Sequence, residues 1–315
     1  TIVKMDAFAE VNYDLIDVEK YFEKKGRRQL DYISSTGCFF RCSFCADPFV
    51  YNRKWTAISP EIMVNKLEEL YNKYKFTDVN LQDETYFTYR GRVIEVSQLI
   101  IEKKLKFTWA ATMRADQGSR LTKEDFKICK DSGLRRLLIG VESGSQEMMD
   151  WLKKDIKLEQ VFMCAERCRD LGISVQFPFI VGFPEESDQS IVETVKVAHQ
   201  LNSMHPNFQT PIFYFKPYPG TKITDDVVKK GYVLPQTIQE WADFDFVGSV
   251  GPWVSDEKYD FFEKFKFYMK FSYSKQKTIY MPLQLIARLR CKYKIFGFPI
   301  EKKMADTFFK KQQLS

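Results

Sequence analysis

From about residue 30 to residue 215, short apolar runs alternate with longer stretches in which apolar side chains recur every three or four positions. The runs at 30–36, 78–82, 107–112, 136–141, 174–181 and 207–215 have the length of strands. Between them, the stretches at 60–74, 90–103, 121–132, 146–152 with 158–171, and 187–201 have the length and period of helices. The first of these opens on Ser59-Pro60-Glu61: an N-cap serine, a proline at the first helical position and an acid in the first turn. Ile62, Leu67 and Leu70 fall on its apolar side. Gly133 and Gly172 follow later helices as C-caps. Six strands separated by helices predict an α/β fold with a parallel sheet and right-handed crossovers.

The flanks read differently. Residues 1–29 carry little pattern beyond one amphipathic turn or helix at 14–22, and they read as a lead-in. After Thr221 the strand signal stops. A helix closes before Gly231, an irregular segment holding Trp241 and Trp253 follows, and helices are predicted at 256–273 and 282–294. The expected division is therefore a lead-in at 1–29, a core at 30–221 and an α-rich C-terminal extension at 222–315, whose irregular part caps the core and holds substrate contacts.

Composition narrows the class. A length of 315 residues suits one large domain with an accessory segment. No run of about eighteen apolar residues occurs, so no transmembrane helix is expected. The start has no signal-peptide pattern, and a chain beginning at Thr1 reads as trimmed or processed. Seven cysteines, an odd number, suit a reducing cytoplasm better than a disulfide framework. The net charge of +6 resides in the tail, where residues 261–315 hold thirteen Lys/Arg against three Asp/Glu. Arg288, Arg290, Lys292 and Lys294 stand there among Leu283, Leu285, Ile286 and Leu289. That mixture fits a helix lying peripherally on the anionic inner face of a membrane. It also fits a helix packed on the core with a solvated basic side, which is the preferred reading. Nucleic acid is not an expected partner, because no RNA-binding module is visible.

The chemistry concentrates in Cys38-Phe39-Phe40-Arg41-Cys42-Ser43-Phe44-Cys45. Three cysteines spaced C-x3-C-x2-C put soft thiolate donors in one short loop, which suits an iron–sulfur cluster. Three ligands on a four-iron cluster leave one iron open to a small molecule. Three unrelated buried thiols rarely bunch so tightly. A zinc site would want a fourth Cys or His nearby, and the two histidines are His199 and His205. Of the other cysteines, Cys129 sits at a helical core position, Cys164 and Cys168 share one helix face and read as core, and Cys291 has no visible partner.

With Phe44 in the aromatic slot and an apolar strand leading into it, this loop resembles the hallmark of the radical S-adenosylmethionine (SAM) superfamily, C-x3-C-x-aromatic-C after the first strand of a barrel. The likeness continues through later motifs to about Thr221. It implies a partial (β/α)6 TIM barrel of the radical SAM type, a [4Fe–4S] cluster held by Cys38, Cys42 and Cys45, and bound SAM. In parallel α/β folds, sites lie at the C-terminal strand ends. Asp83 and Glu84, after the second strand, match the place where members bind the SAM ammonium. Arg114 offers a guanidinium fork for the carboxylate. Glu142, in Gly140-Val141-Glu142-Ser143-Gly144, matches a position near the ribose or methionine moiety. Gly182-Phe183-Pro184-Glu185-Glu186 matches the fifth-strand motif near adenine, where glycine permits close backbone approach. Tyr218 resembles the sixth-strand end that also borders adenine. The alternative for each is a loop-stabilising ion pair or turn. No proton-transferring catalyst is assigned.

Reduction of the cluster would let it donate one electron to SAM, giving methionine and a 5′-deoxyadenosyl radical that takes hydrogen from an unactivated carbon. Tyr21-Phe22, Gln82-Asp83-Glu84-Thr85, Met113-Arg114-Ala115-Asp116, the Glu142 motif and Val181-Gly182-Phe183-Pro184 are most similar to the cobalamin-dependent branch. Members of that branch methylate carbon or remodel rings. The resemblance therefore implies a methyltransferase or cyclase acting on an apolar, small-molecule or lipid-like substrate, with cobalamin as a further cofactor and ferredoxin or flavodoxin as electron donor. No cobalamin-binding domain is read in the sequence. A cobalamin-free enzyme, methylthiotransferase-like or peptide-modifying, and a non-catalytic iron–sulfur or zinc-binding protein both stay open.

Overall fold

The structure, a computed structural model, describes residues 5–7, 11–244, 250–273 and 281–302. The chain divides into two units. The first is Thr1–Val141, Met149–Phe177 and Pro217–Tyr232; the second is Glu142–Met148, Pro178–Lys216 and Val233–Ser315. Parts of the expected lead-in (1–4, 8–10), cap (245–249) and basic tail (274–280, 303–315) lie outside the described residues.

The first unit carries β1 (Gln29–Tyr32), β2 (Ser35–Gly37), β3 (Trp55–Ala57), β4 (Asp78–Leu81), β5 (Thr108–Met113), β6 (Leu134–Ile139) and β7 (Ser174–Gln176). β1, β4, β5, β6 and β7 lie side by side in that order, every neighbouring pair parallel. A helix sits in each crossover: Pro60–Tyr74, Arg90–Glu102, Lys123–Asp131 and Leu158–Asp170. Val79, Leu137 and Ile139 in these strands are fully buried, while Asp31, Asn80 and Arg136 put polar groups between apolar positions. The α/β class with a parallel sheet is thus the one the alternating pattern predicts.

Two details differ from expectation. The first strand does not run on into the cysteine loop. It stops at Tyr32, and β2 turns away to pair antiparallel with β3. The cause is Asp83, whose carboxylate accepts hydrogen bonds from Ser34 N at 2.8 Å, Ser34 Oγ at 2.7 Å and Ser35 Oγ at 2.5 Å, fixing a turn there. On helix Pro60–Tyr74 the buried stripe is Met63, Val64, Leu67 and Leu70, whereas Ile62 is exposed. One residue is a 100° step, enough to turn Ile62 off that stripe. Cys129, Cys164 and Cys168 are core residues, as their helical positions suggest.

The second unit holds β8 (Phe179–Val181), β9 (Phe208–Gln209) and β10 (Ile212–Tyr214), with β8 and β10 paired in parallel. The predicted strands at 174–181 and 207–215 are therefore each two short strands. Pro178 and Pro211 explain the breaks, since proline donates no ladder hydrogen bond. Their carbonyls remain in use: Pro178 O accepts from Glu142 N at 3.1 Å and Pro211 O from Phe179 N at 2.9 Å. Helices Asp256–Tyr273 and Met281–Tyr293 pack on each other and on Asp188–Met204. Phe262, Phe265, Tyr268 and Cys291 are buried, and Tyr268 stacks on Phe296. Arg290 pairs with Glu301, and Arg288 donates to Ser272 O at 3.1 Å. The described part of the basic tail is thus a packed helical pair, the preferred reading, although Leu285, Leu289 and Tyr293 form an exposed stripe. Among the described residues no helix is long and apolar enough to cross a membrane.

Candidate functional site

In the first unit, the cysteine loop begins where β2 ends. Gly37 has φ +90°, and a Cβ there would lie 2.2 Å from Lys54 O, so the residue before Cys38 must be glycine. Cys38 and Cys42 are buried, Cys45 half-buried, and all three thiols are free. The loop is tied down along its length. Ser43 N donates to Leu152 O at 2.9 Å, and Ser43 O accepts from Ile223 N at 3.2 Å. Arg41 grips both oxygens of Asp155, at 2.7 and 3.0 Å.

Arg114, 6% exposed, makes three hydrogen bonds in this region. Its Nε donates to Asp116 at 2.9 Å, its Nη2 to Lys154 O, and its Nη1 lies 3.4 Å from Cys42 Sγ. The guanidinium stacks 3.6 Å from the Phe40 ring centre. Burial raises the Cys38 thiol and, with Asp47 adding to it, pushes Cys45 up to about 12. Among the described residues no three His, Cys, Asp or Glu side chains are arranged to hold one metal ion. The donor set nonetheless fits an iron–sulfur cluster: three free thiols in one braced loop, with a buried cation against one sulfur.

The two acids after β4 have separate tasks. Asp83, 1% exposed, accepts three hydrogen bonds from Ser34 and Ser35, and burial raises its pKa against them. Half-buried Glu84 stands beside the cysteine loop. One oxygen accepts from Gly37 N at 3.1 Å and the other from Tyr51 OH at 2.6 Å. Tyr51, just past the loop, has its hydroxyl pKa raised chiefly by this carboxylate. Asp47 is raised by burial first and by the nearby Glu84 charge after it. Tyr218 is 43% exposed, and Phe49 packs on Gly220 two residues further along.

In the second unit, Glu142 has φ +67°, a left-handed conformation unusual for a side chain of its size. It is held there by Pro178 O on its N–H and by Ile180 N at 2.8 Å on its carbonyl. Such strain persists only where surroundings over-determine it, and it clusters at functional positions. Beyond it, Gly144 N donates to Thr194 Oγ1 at 2.9 Å. Gly182 has φ +75°, and a Cβ there would come within 2.8 Å of Val254. Its N–H donates to Glu186 Oε2 and its carbonyl accepts from Trp253 Nε1, both at 2.6 Å. Phe183 packs on Phe215, and Pro184 is buried. Glu186 is buried with Oε1 lacking a hydrogen-bond partner, and burial pushes its carboxyl up to about 7.

Three contributors were not anticipated from the sequence: Asp47, Tyr51 and Asp155. Asp155 acts over a separation of 114 residues and left no local signal. Glu186 and Trp253 stand in segments the sequence singles out, the fifth-strand end and the irregular cap, but their bonds to Gly182 do not show there.

A family model described as the radical SAM superfamily matches residues 32–198. The chain is 24% identical over 256 residues to an uncharacterized methyltransferase of Pyrococcus horikoshii, covering 81% of this chain and 54% of that protein. It is 24% identical over 220 residues to the anaerobic magnesium-protoporphyrin IX monomethyl ester cyclase of Rubrivivax gelatinosus, covering 70% and 39%. The chain thus spans about half the length of the first relative and two fifths of the second. Among solved structures, the radical SAM methyltransferase TsrM from Kitasatospora setae, with cobalamin and a [4Fe–4S] cluster bound, aligns with a TM-score of 0.58 at 15% identity, covering 66% of this chain and 38% of that one. That likeness is one of fold.

Proposed function

The chain belongs to the radical SAM superfamily of enzymes, and from that premise we propose that it cleaves SAM reductively and uses the product radical to modify an unactivated carbon. The observation that carries this reading is the loop of three free thiols at Cys38, Cys42 and Cys45, braced at Ser43, Arg41 and Gly37. Cys38, Cys42 and Cys45 would hold a [4Fe–4S] cluster, which would supply the single electron needed for reductive cleavage of SAM to methionine and a 5′-deoxyadenosyl radical.

The chain's own residues would do the holding. Glu84, fixed through both oxygens, presents its charge to the SAM ammonium, while Asp83 shapes the turn that leads into the cysteine loop. Glu142, locked in its left-handed conformation, serves the ribose or methionine moiety. By the family resemblance the Gly182-Phe183-Pro184 turn would border the adenine, with the Gly182 backbone clamped by Glu186 and Trp253. Anaerobic reconstitution with iron and sulfide, then reduction with dithionite in the presence of SAM, should release 5′-deoxyadenosine. Full reduction without that product overturns the proposal.

The finer reading is methyl transfer or ring remodelling on a small apolar substrate, with cobalamin as a further cofactor and a one-electron protein donor. The likeness to a methyltransferase of Pyrococcus horikoshii and to a cyclase of Rubrivivax gelatinosus supports it. Methyl-labelled SAM separates the branches: label transferred only with added cobalamin supports this reading. Radical formation and product turnover without cobalamin favour a cobalamin-free enzyme. The exposed Leu285, Leu289 and Tyr293 stripe beside Lys292 is where peripheral contact with an anionic membrane would occur.

A further inference from the structure

We propose that Arg114 tunes the cluster through the Cys42 sulfur rather than clamping the SAM carboxylate. The inference rests on the reading that Cys42 is a cluster ligand. A guanidinium has five N–H donors in a fixed fork. Here Nε is taken by Asp116, Nη2 by Lys154 O, and Nη1 faces Cys42 Sγ at 3.4 Å. One flat face is covered by Phe40. At 6% exposure no edge of the fork is presented as an open bidentate seat, which carboxylate recognition needs.

The burial has a reason on this reading. Taking a cation out of water is costly unless it is paired. Asp116 compensates part of that cost, but Asp116 is itself shared, because Arg120 reaches its other oxygen at 2.8 Å. Arg120 therefore draws on the same carboxylate, and the Nη1 edge of Arg114 is directed at a sulfur. A thiolate, and still more a cluster one electron richer, is the anion that completes this arrangement. Hydrogen bonds to cluster sulfurs and nearby charge are the levers by which proteins set cluster potentials. Removing Arg114 should make reduction harder, because the reduced cluster carries the extra negative charge that Arg114 stabilises. The same fork ties the Cys42 side of the loop to Lys154, so Arg114 also positions the ligand.

The test is an EPR-monitored redox titration of the reconstituted holoprotein, wild type beside Arg114→Met and Arg114→Lys, with iron content and equilibrium SAM binding measured on the same samples. The expected result is a midpoint potential shifted to more negative values in Arg114→Met, partial recovery in Arg114→Lys, which keeps the charge without the fork, and SAM affinity within about twofold of wild type. If Arg114→Met does not hold its cluster, the potential of Arg114→Lys carries the readout. An unchanged potential with SAM affinity down by about tenfold or more would overturn the inference in favour of a carboxylate clamp. A wild-type cluster whose potential ignores both substitutions sinks the inference alone. A wild type that takes up no iron sinks the cluster reading and this inference together.

Discussion

The cysteine loop and the Gly182 loop each follow a three-residue strand and each begin at a glycine with positive φ, yet they are held by different means. The cysteine loop is braced by charged and polar side chains from distant segments: Arg114, Asp155, Glu84 and the Leu152 carbonyl. The Gly182 loop is closed by a carboxyl four residues away and by one indole N–H. The first arrangement braces the backbone of the loop that carries the three thiols. The second fixes a stretch of backbone, with both the N–H and the carbonyl of Gly182 held.

Three substitutions probe this contrast. The largest effect is expected from Gly37→Ala. Its Cβ would meet Lys54 O at 2.2 Å at a φ that only glycine adopts freely, costing about 3 kcal/mol in chemical denaturation and reducing iron retention. An alanine variant as stable and as iron-rich as wild type would show that the loop is not pinned at its start. Next is Glu186→Gln. Burial raises the Glu186 carboxyl from 4.5 to about 7, so between those values the folded chain holds a proton that the unfolded chain has released. The stability this lends is complete below about 4.5 and is lost as pH rises through about 7. The glutamine variant, which cannot titrate, should gain on wild type across that window by about 2–3 kcal/mol in denaturation series run from pH 4.5 to 8. A parallel pH profile would remove the titrating clamp. The smallest effect is Trp253→Phe, which leaves the Gly182 carbonyl unpaired at a cost of about 1–2 kcal/mol and speeds amide exchange in the 182–186 turn. Unaltered exchange would mean the indole is a bystander.

Much of the frame was legible because periodicity is local. Each of the six strand segments contains a strand, and helix Pro60–Tyr74 occupies its predicted span. The breaks at Pro178 and Pro211 were written in the chain as prolines within apolar runs. Ile62 misled because a helix has apolar positions adjacent to its stripe as well as on it. The candidate site divides in the same way. The cysteines announce themselves by spacing, and the strand-end motifs by resemblance. That Asp83 is spent on Ser34 and Ser35 depends on residues 48 and 49 positions away, and Arg114 meets Cys42 across 72. Such pairings arise only when parallel strands bring their ends together, and no local pattern encodes them.

The central claim is that Cys38, Cys42 and Cys45 hold a [4Fe–4S] cluster. Iron and acid-labile sulfide per chain, measured after anaerobic reconstitution of wild type and of the triple Cys38→Ala, Cys42→Ala, Cys45→Ala variant, test it most directly. The expected result is about four of each in wild type and neither in the variant. Iron retained by the variant, or a single zinc in place of iron in wild type, would contradict it.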